Sequence, residues 1–206
     1  MGVLVAQLCG VGVFVVVTLA LGMLLRRSPQ PGIAEQLSRV SHLAFWLGLT
    51  APWAVGFLLP GTAALDRISG LGPLPLVLWV RIVVGGPLLV VGIAFMQASM
   101  SGLGRKGKGA AAFKLTSNVV ATGVYGLVRN PMAFGYYAAC LGGAVVAGST
   151  WVLLYTALGV IPAHLLNLVY FEQLELSLRY GEPYRAYRTS TPFLIPRLRR
   201  GSSATD

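Results

Sequence analysis

The sequence predicts an all-α fold: a polytopic membrane helical bundle of about five transmembrane helices, with a C-terminal helical hairpin and a cytoplasmic amphipathic tail. Three observations carry that reading. Apolar residues make up 55% of the 206 residues and charged ones only 11%, where soluble chains hold about 25% charged. The charges gather mostly at 26–39, 105–114 and 172–200, and long apolar stretches run between them. Basic-rich and basic-poor connections alternate along the chain, as five crossings require. A soluble globular enzyme, a disordered chain and a disulfide scaffold are thereby excluded, and the length suits one membrane domain, 1–206.

Each span can be justified in order, since a helix needs about 20 apolar residues to cross a bilayer. The first, 3–25, is stopped by Arg26 and Arg27; it is too long, and lacks the preceding basic residue, for a signal peptide. The second, 40–59, carries Trp46 and Trp53, and the third covers 74–100. The fourth, 132–148, and the fifth, 151–171, are separated only by Ser149 and Thr150, which calls for a tight antiparallel hairpin. Cys9 and Cys140 sit inside apolar runs without metal-ligand spacing, so both are expected to be packing residues and no metal is expected. Arg81, inside the third span, is a functional candidate or a side chain that snorkels outward.

The basic residues also give direction. Arg26, Arg27 and Arg39 occupy the first connection, only Arg67, beside Asp66, the second, and Arg105, Lys106, Lys108 and Lys114 the third. The fourth connection has none and the tail has six arginines. The N-terminus is therefore expected outside and the tail in the cytoplasm. Because the basic residues flank apolar spans, the net charge of +10 marks topology, and nucleic acid is not an expected partner.

The segments 102–131 and 172–200 then share the cytoplasmic face and hold most of the polar chemistry. From Thr122 the chain reads TGVYGLVRNPMAFGYY, and from Tyr170 it reads YFEQLELSLRYGEPYRAYRTSTPFLIPR. Pro131 suits the first turn of the fourth span, which leaves Arg129 at headgroup depth as a lipid-phosphate anchor or a ligand contact. Continued helically, Glu172, Glu175, Arg179 and Glu182 fall on one face and Phe171, Leu174 and Leu178 on another. That face is either a solvated one, with an ordinary Glu175–Arg179 pair, or one turned to Arg129 and a polar ligand. Gly181 should end the helix, and Tyr184 and Tyr187 should place amphipathic rings at the interface. His164 and Asn167 share a face of the fifth span, as interhelical hydrogen-bonding groups or as lining of a cavity. His42 is expected to be interfacial.

These two segments resemble the isoprenylcysteine carboxyl methyltransferase and phospholipid methyltransferase superfamily of integral membrane enzymes. Gly123, Tyr125, Arg129 and Pro131 match its G-x-Y-x-x-x-R-H-P-x-Y segment before the penultimate span, with Gly135 following. Glu172, Leu176, Tyr180, Gly181, Tyr184, Tyr187, Pro192 and Pro196 match its E-E-x-x-L-x-x-x-F-G-x-x-Y-x-x-Y segment and the prolines after it. The resemblance covers about residues 85–197, and Asn130, Ala133 and Gln173 depart from the pattern at its His, Tyr and second Glu. It implies S-adenosylmethionine held between the two segments, the tail closing over it, and a lipophilic small molecule or lipid acceptor arriving from the bilayer. By the same resemblance Arg129 and Glu172 would act at the reaction centre, Arg129 on a carboxylate and Glu172 on cofactor amine or ribose hydroxyls. Tyr125, Asn130, Pro131, His164, Asn167, Gln173, Glu175, Tyr184 and Tyr187 would complete the cofactor site. A bacterial cytoplasmic membrane is the expected location. A Rossmann-type methyltransferase is excluded independently, because no Gly-rich strand–turn–helix motif occurs. Two other readings stand beside this one: a membrane reductase of the sterol-reductase type using NADPH, and a family member without catalysis that binds or scaffolds.

Overall fold

The computed structural model describes residues 1–58, 61–107 and 115–196. Lys108, Lys114, the end of the second expected span at Leu59 and the tail residues 197–200 lie outside the described residues. Helix α1 (Gly2–Arg27) ends in Arg26 and Arg27, cations at the negative end of its dipole. Arg26 also donates to the carbonyls of Gly22 and Tyr170 at 2.9 Å each, its guanidinium 3.9 Å from the Tyr170 ring centroid. That clasp ties α1 to the last long helix.

Helix α2 (Pro31–Leu58) is one apolar helix of 28 residues with a π turn at Trp46–Thr50. It begins at Pro31 rather than near Val40. Pro31 sits in the first turn, where its missing N–H is no loss, and Ala34 and Ser38 are buried while Glu35 and Arg39 pair outward at 2.8 Å. An apolar-run count finds only the lipid-crossing part of such a helix. A short helix, α3 (Thr62–Ile68), follows in the connection. Helix α4 (Leu78–Lys106) starts at Leu78, four residues after the expected 74, because Pro73 and Pro75 hold the approach extended.

Helix α5 (Val124–Leu127) is a single turn, and α6 (Pro131–Ala147) is a 17-residue apolar helix. Gly148, at φ +69°, closes α6 in the left-handed conformation. The Arg81 guanidinium lies against Gly148, and Arg81 Nε donates to Leu76 O at 2.8 Å. Arg81 thus bonds the loop before its own helix and packs beside the end of α6. Helix α7 (Thr150–Tyr180) runs for 31 residues with π turns at Tyr155–Val160 and Leu168–Glu172. At about 1.5 Å per residue it exceeds a core of about 30 Å, so its last turns stand clear of the hydrocarbon. Gly181, at φ +60°, breaks the chain into α8 (Glu182–Ser190).

Four of these helices are long and apolar enough to cross a membrane, and α6 is a shorter apolar one; the protein is a polytopic helical membrane protein. Leu8, Val16, Trp79, Ile82 and Val90 stay exposed on the outer wall, a surface suited to lipid. Cys9 lies on this exposed surface rather than in the packing, whereas Cys140 is buried. Helices α1, α2 and α7 pack around Phe14, Leu49, Val160 and Leu168. The pair α4–α6 closes on glycines spaced seven apart: Gly85 faces Gly142 and Val146, and Gly92 faces Gly135 and Ala139. This is the close backbone approach that small residues permit between membrane helices. The helix order brings Arg27, Pro31, Lys106, Pro131 and Tyr180 to one end of the bundle.

The opposite end is fixed by a carboxylate. Asp66 is 2% exposed and accepts from Ser149 Oγ at 2.9 Å and Trp151 N at 2.7 Å, capping the start of α7 from another element. Asp66→Ala is expected to destabilise the bundle by roughly 1.5–3 kcal/mol, because it strands buried donors that were bonded to a charged group. Asp66→Asn, which keeps an acceptor, should cost less. Thermal unfolding in detergent checks both, and equal midpoints for the three proteins would count against the cap.

Candidate functional site

At the basic end, α2, the loop 115–120, α5, the end of α7 and α8 enclose a cavity of about 160 Å³. Among the residues expected to form a site, Tyr125, Arg129, Asn130, Glu172, Glu175, Tyr184 and Tyr187 line it. They come from three separate stretches of chain, brought together by the α6–α7 hairpin and by Gly181, which folds α8 back across the opening.

Arg129 is held by its backbone, and two of its three guanidinium nitrogens are left unbonded. Its N–H donates to Pro192 O at 2.8 Å, the next N–H, of Asn130, to Phe193 O at 3.2 Å, and Asn130 Nδ2 to that same carbonyl at 3.0 Å. Residues 192–193 therefore strap the start of α6, and Phe193 lies beneath the guanidinium, 5.4 Å from Cζ. Arg129 Nε and Nη1 are buried with no hydrogen-bond partner among the described residues. Such donors are costly to leave unmade and suit a planar anion that takes two parallel bonds.

Glu172, at the end of the second π turn, faces the same cavity, and no ion pair joins it to Arg129 among the described residues. Glu175 is 1% exposed and is committed elsewhere: Arg179 Nη1 donates to it at 2.7 Å. Arg179 Nη2 and the Tyr180 hydroxyl also donate to Thr116 O, at 2.8 and 2.6 Å, which pins the loop over the cavity. Phe171, Leu174 and Leu178 pack against Leu21, Leu25 and Ala34 on the other face, as the helical spacing predicts. Glu182 leaves the shared face, because Gly181 turns the chain first; it is exposed and pairs with Arg185 at 3.5 Å.

Tyr184 and Tyr187 are not interfacial rings. They are 5% and 8% exposed and pack with Tyr125 and Val120, and the Tyr187 hydroxyl donates to Tyr125 O at 2.7 Å. Burial drives the Tyr184 hydroxyl up to about 12, with the Glu172 charge adding and Arg129 and Arg188 opposing. Burial likewise raises Tyr125 and Tyr187 well above the ordinary tyrosine value. All three remain neutral O–H groups at physiological pH and form an uncharged aromatic wall.

Four expected residues do not line the cavity. His164 Nδ1 lies 3.0 Å from the Tyr137 hydroxyl, its ring 4.5 Å from the Phe45 centroid. Asn167 donates to Thr18 Oγ1 at 3.1 Å and Ser41 Oγ at 2.9 Å. Both are interhelical ties that fasten α7 to its neighbours. Pro131 is buried as the first residue of α6, and Gln173 lies half-buried beside the cavity. The structure adds Ser38, His42, Thr116, Asn118 and Tyr180 to the lining. The i, i+4 spacing of Ser38 and His42 could have shown a common face, but only once α2 is known to begin at Pro31.

A family model described as phospholipid methyltransferase matches residues 80–183, a stretch holding α4 to the first turn of α8 and so most of the cavity. No curated protein and no solved structure matches the chain.

Proposed function

Since the chain belongs to the phospholipid methyltransferase family, a family of membrane methyltransferases, we propose that it transfers a methyl group from S-adenosylmethionine to a lipophilic acceptor. One observation carries this: Arg129, whose buried Nε and Nη1 have no partner among the described residues, shares a cavity with a carboxylate, Glu172, to which it is not paired. An α-amino-acid moiety presents the complementary pattern, a carboxylate beside an ammonium. Arg129 would take the carboxylate through Nε and Nη1, and Glu172 the ammonium. When bound, S-adenosylmethionine supplies a sulfonium methyl group open to in-line attack. The chain's own part is orientation and exclusion of water: Tyr125, Tyr184 and Tyr187 wall the site, and the 192–193 strap holds Arg129 in place. Good alignment of this kind lowers a barrier by about 7–11 kcal/mol. The basic end carrying the site is taken to face the cytoplasm, where the positive-inside rule puts it.

Calorimetry on the full chain in nanodiscs tests the reading. Both S-adenosylmethionine and S-adenosylhomocysteine, which share the amino-acid moiety, should give binding heats. Heat with reduced nicotinamide dinucleotide phosphate and none with either of these compounds would transfer the case to a reductase.

A further inference from the structure

Helix α2 precedes the matched residues 80–183, yet it contributes Ser38 and His42 to the cavity. His42 Nδ1 lies 2.7 Å from the Ser38 carbonyl oxygen. A carbonyl only accepts, so Nδ1 carries the proton and donates, which leaves the lone pair on Nε2. Nε2 has no hydrogen-bond partner among the described residues, and the ring borders the cavity.

The neighbouring charged groups are committed elsewhere, which leaves this imidazole available to the site. On its own helix Glu35 and Arg39 pair with each other at the surface. From α7, Glu175 and Arg179 neutralise one another at 2.7 Å, while Glu172 is the carboxylate assigned above to the ligand's ammonium. Arg129, from the segment before α6, is a permanent cation, and Tyr180 turns its hydroxyl to Thr116. His164, the chain's other histidine, is engaged with Tyr137.

Resting on the methyl-transfer reading, we infer that His42 Nε2 takes the proton from a protic acceptor, one whose nucleophilic atom is a thiol sulfur, hydroxyl oxygen or ammonium-derived nitrogen. The acceptor heteroatom forms its bond to the methyl carbon with its own electron pair. The sulfur–methyl bond breaks, and its electron pair stays on sulfur, which becomes a neutral thioether. The acceptor's proton moves to Nε2, so the sulfonium's positive charge reappears as imidazolium and is shed to solvent.

The chain holds two histidines, so ¹⁵N-histidine NMR of the full protein in nanodiscs, with His42→Gln to assign the signals, reads the tautomer directly. The Nδ1–H form is expected; an Nε2–H signal overturns the assignment. Turnover is then followed with labelled S-adenosylmethionine and three probes: a long-chain alkanethiol, phosphatidylethanolamine vesicles and a long-chain fatty carboxylate. His42→Gln should slow the two protic probes by roughly 10²–10⁴-fold and remove the acid limb of the rate profile. KM and S-adenosylhomocysteine binding should stay at wild-type values. Equal turnover by wild type and variant overturns the role of His42 while leaving methyl transfer standing, and so does turnover of the carboxylate alone. Wild-type protein that binds neither S-adenosyl compound overturns the underlying reading, and this role with it.

Discussion

Arg129→Ala is expected to weaken S-adenosylhomocysteine binding by about 10- to 100-fold, the loss of roughly 1.5–3 kcal/mol when a charge-assisted bond in a partly dry site is removed. The same change should leave the ligand-free protein as stable as before, or more so. Arg129 Nε and Nη1 are buried without partners, and deleting an unmet guanidinium removes a desolvation cost. The strap is unaffected, because Pro192 is bonded to the backbone of Arg129 and not to its side chain. Arg129→Lys should also bind poorly, since lysine keeps the charge and loses the fork. Calorimetry and thermal unfolding, each with and without ligand, separate these effects. If Arg129→Ala and Glu172→Gln both bind as wild type does, the two residues are interfacial anchors and the site lies elsewhere.

The second large effect concerns adjacent glycines that should respond with opposite sign. A methyl group on Gly85 would meet Gly142 O at 2.8 Å and Val146 N at 2.9 Å, both backbone atoms of α6 that cannot rotate aside. Gly85→Ala should therefore cost about 1–3 kcal/mol as the helices are forced apart, and Gly92→Val, against Gly135 O and Ala139 N, should cost more. Gly86 has nothing within 4 Å of the same position. Gly86→Ala should stabilise the helix by roughly 0.5–1 kcal/mol, by removing glycine's backbone freedom. Unfolding midpoints of the three variants in one detergent decide it; a matching drop for Gly85→Ala and Gly86→Ala would mean the α4–α6 seam is not close-packed.

The spans were legible because hydrocarbon thickness sets a length that composition alone can meet, and the α6–α7 hairpin because only Ser149 and Thr150 separate two apolar runs. What composition hid was helix that does not touch lipid. Pro31–Arg39 is polar on one side and packs on the other, so it reads as a connection although it is the first part of α2. The place of His42 at the cavity is hidden for the same reason: it depends on where α2 starts. Tyr184 and Tyr187 look like interfacial rings until Gly181 is seen to turn α8 inward. Asp66 gave no signal, because its partners, Ser149 and Trp151, are more than eighty residues away in sequence. Arg129, Glu172 and the tyrosines are singled out through the resemblance of two local motifs to a family pattern. Their common cavity, and the separation of His164 and Asn167 from it, depends on the register that two π turns give α7.

The strap at Pro192 and Phe193 also sets an order of biosynthesis. It joins positions 63 residues apart, on either side of the whole α6–α7 hairpin. A chain made from its N-terminus, its early elements settling first, can insert α1 to α7 before Pro192 has been translated. Until then Arg129 has no roof beneath which to hold an anion. A nascent or prematurely terminated product is therefore an inserted bundle with an unfinished site, and the cavity is completed only after the membrane scaffold is already in place.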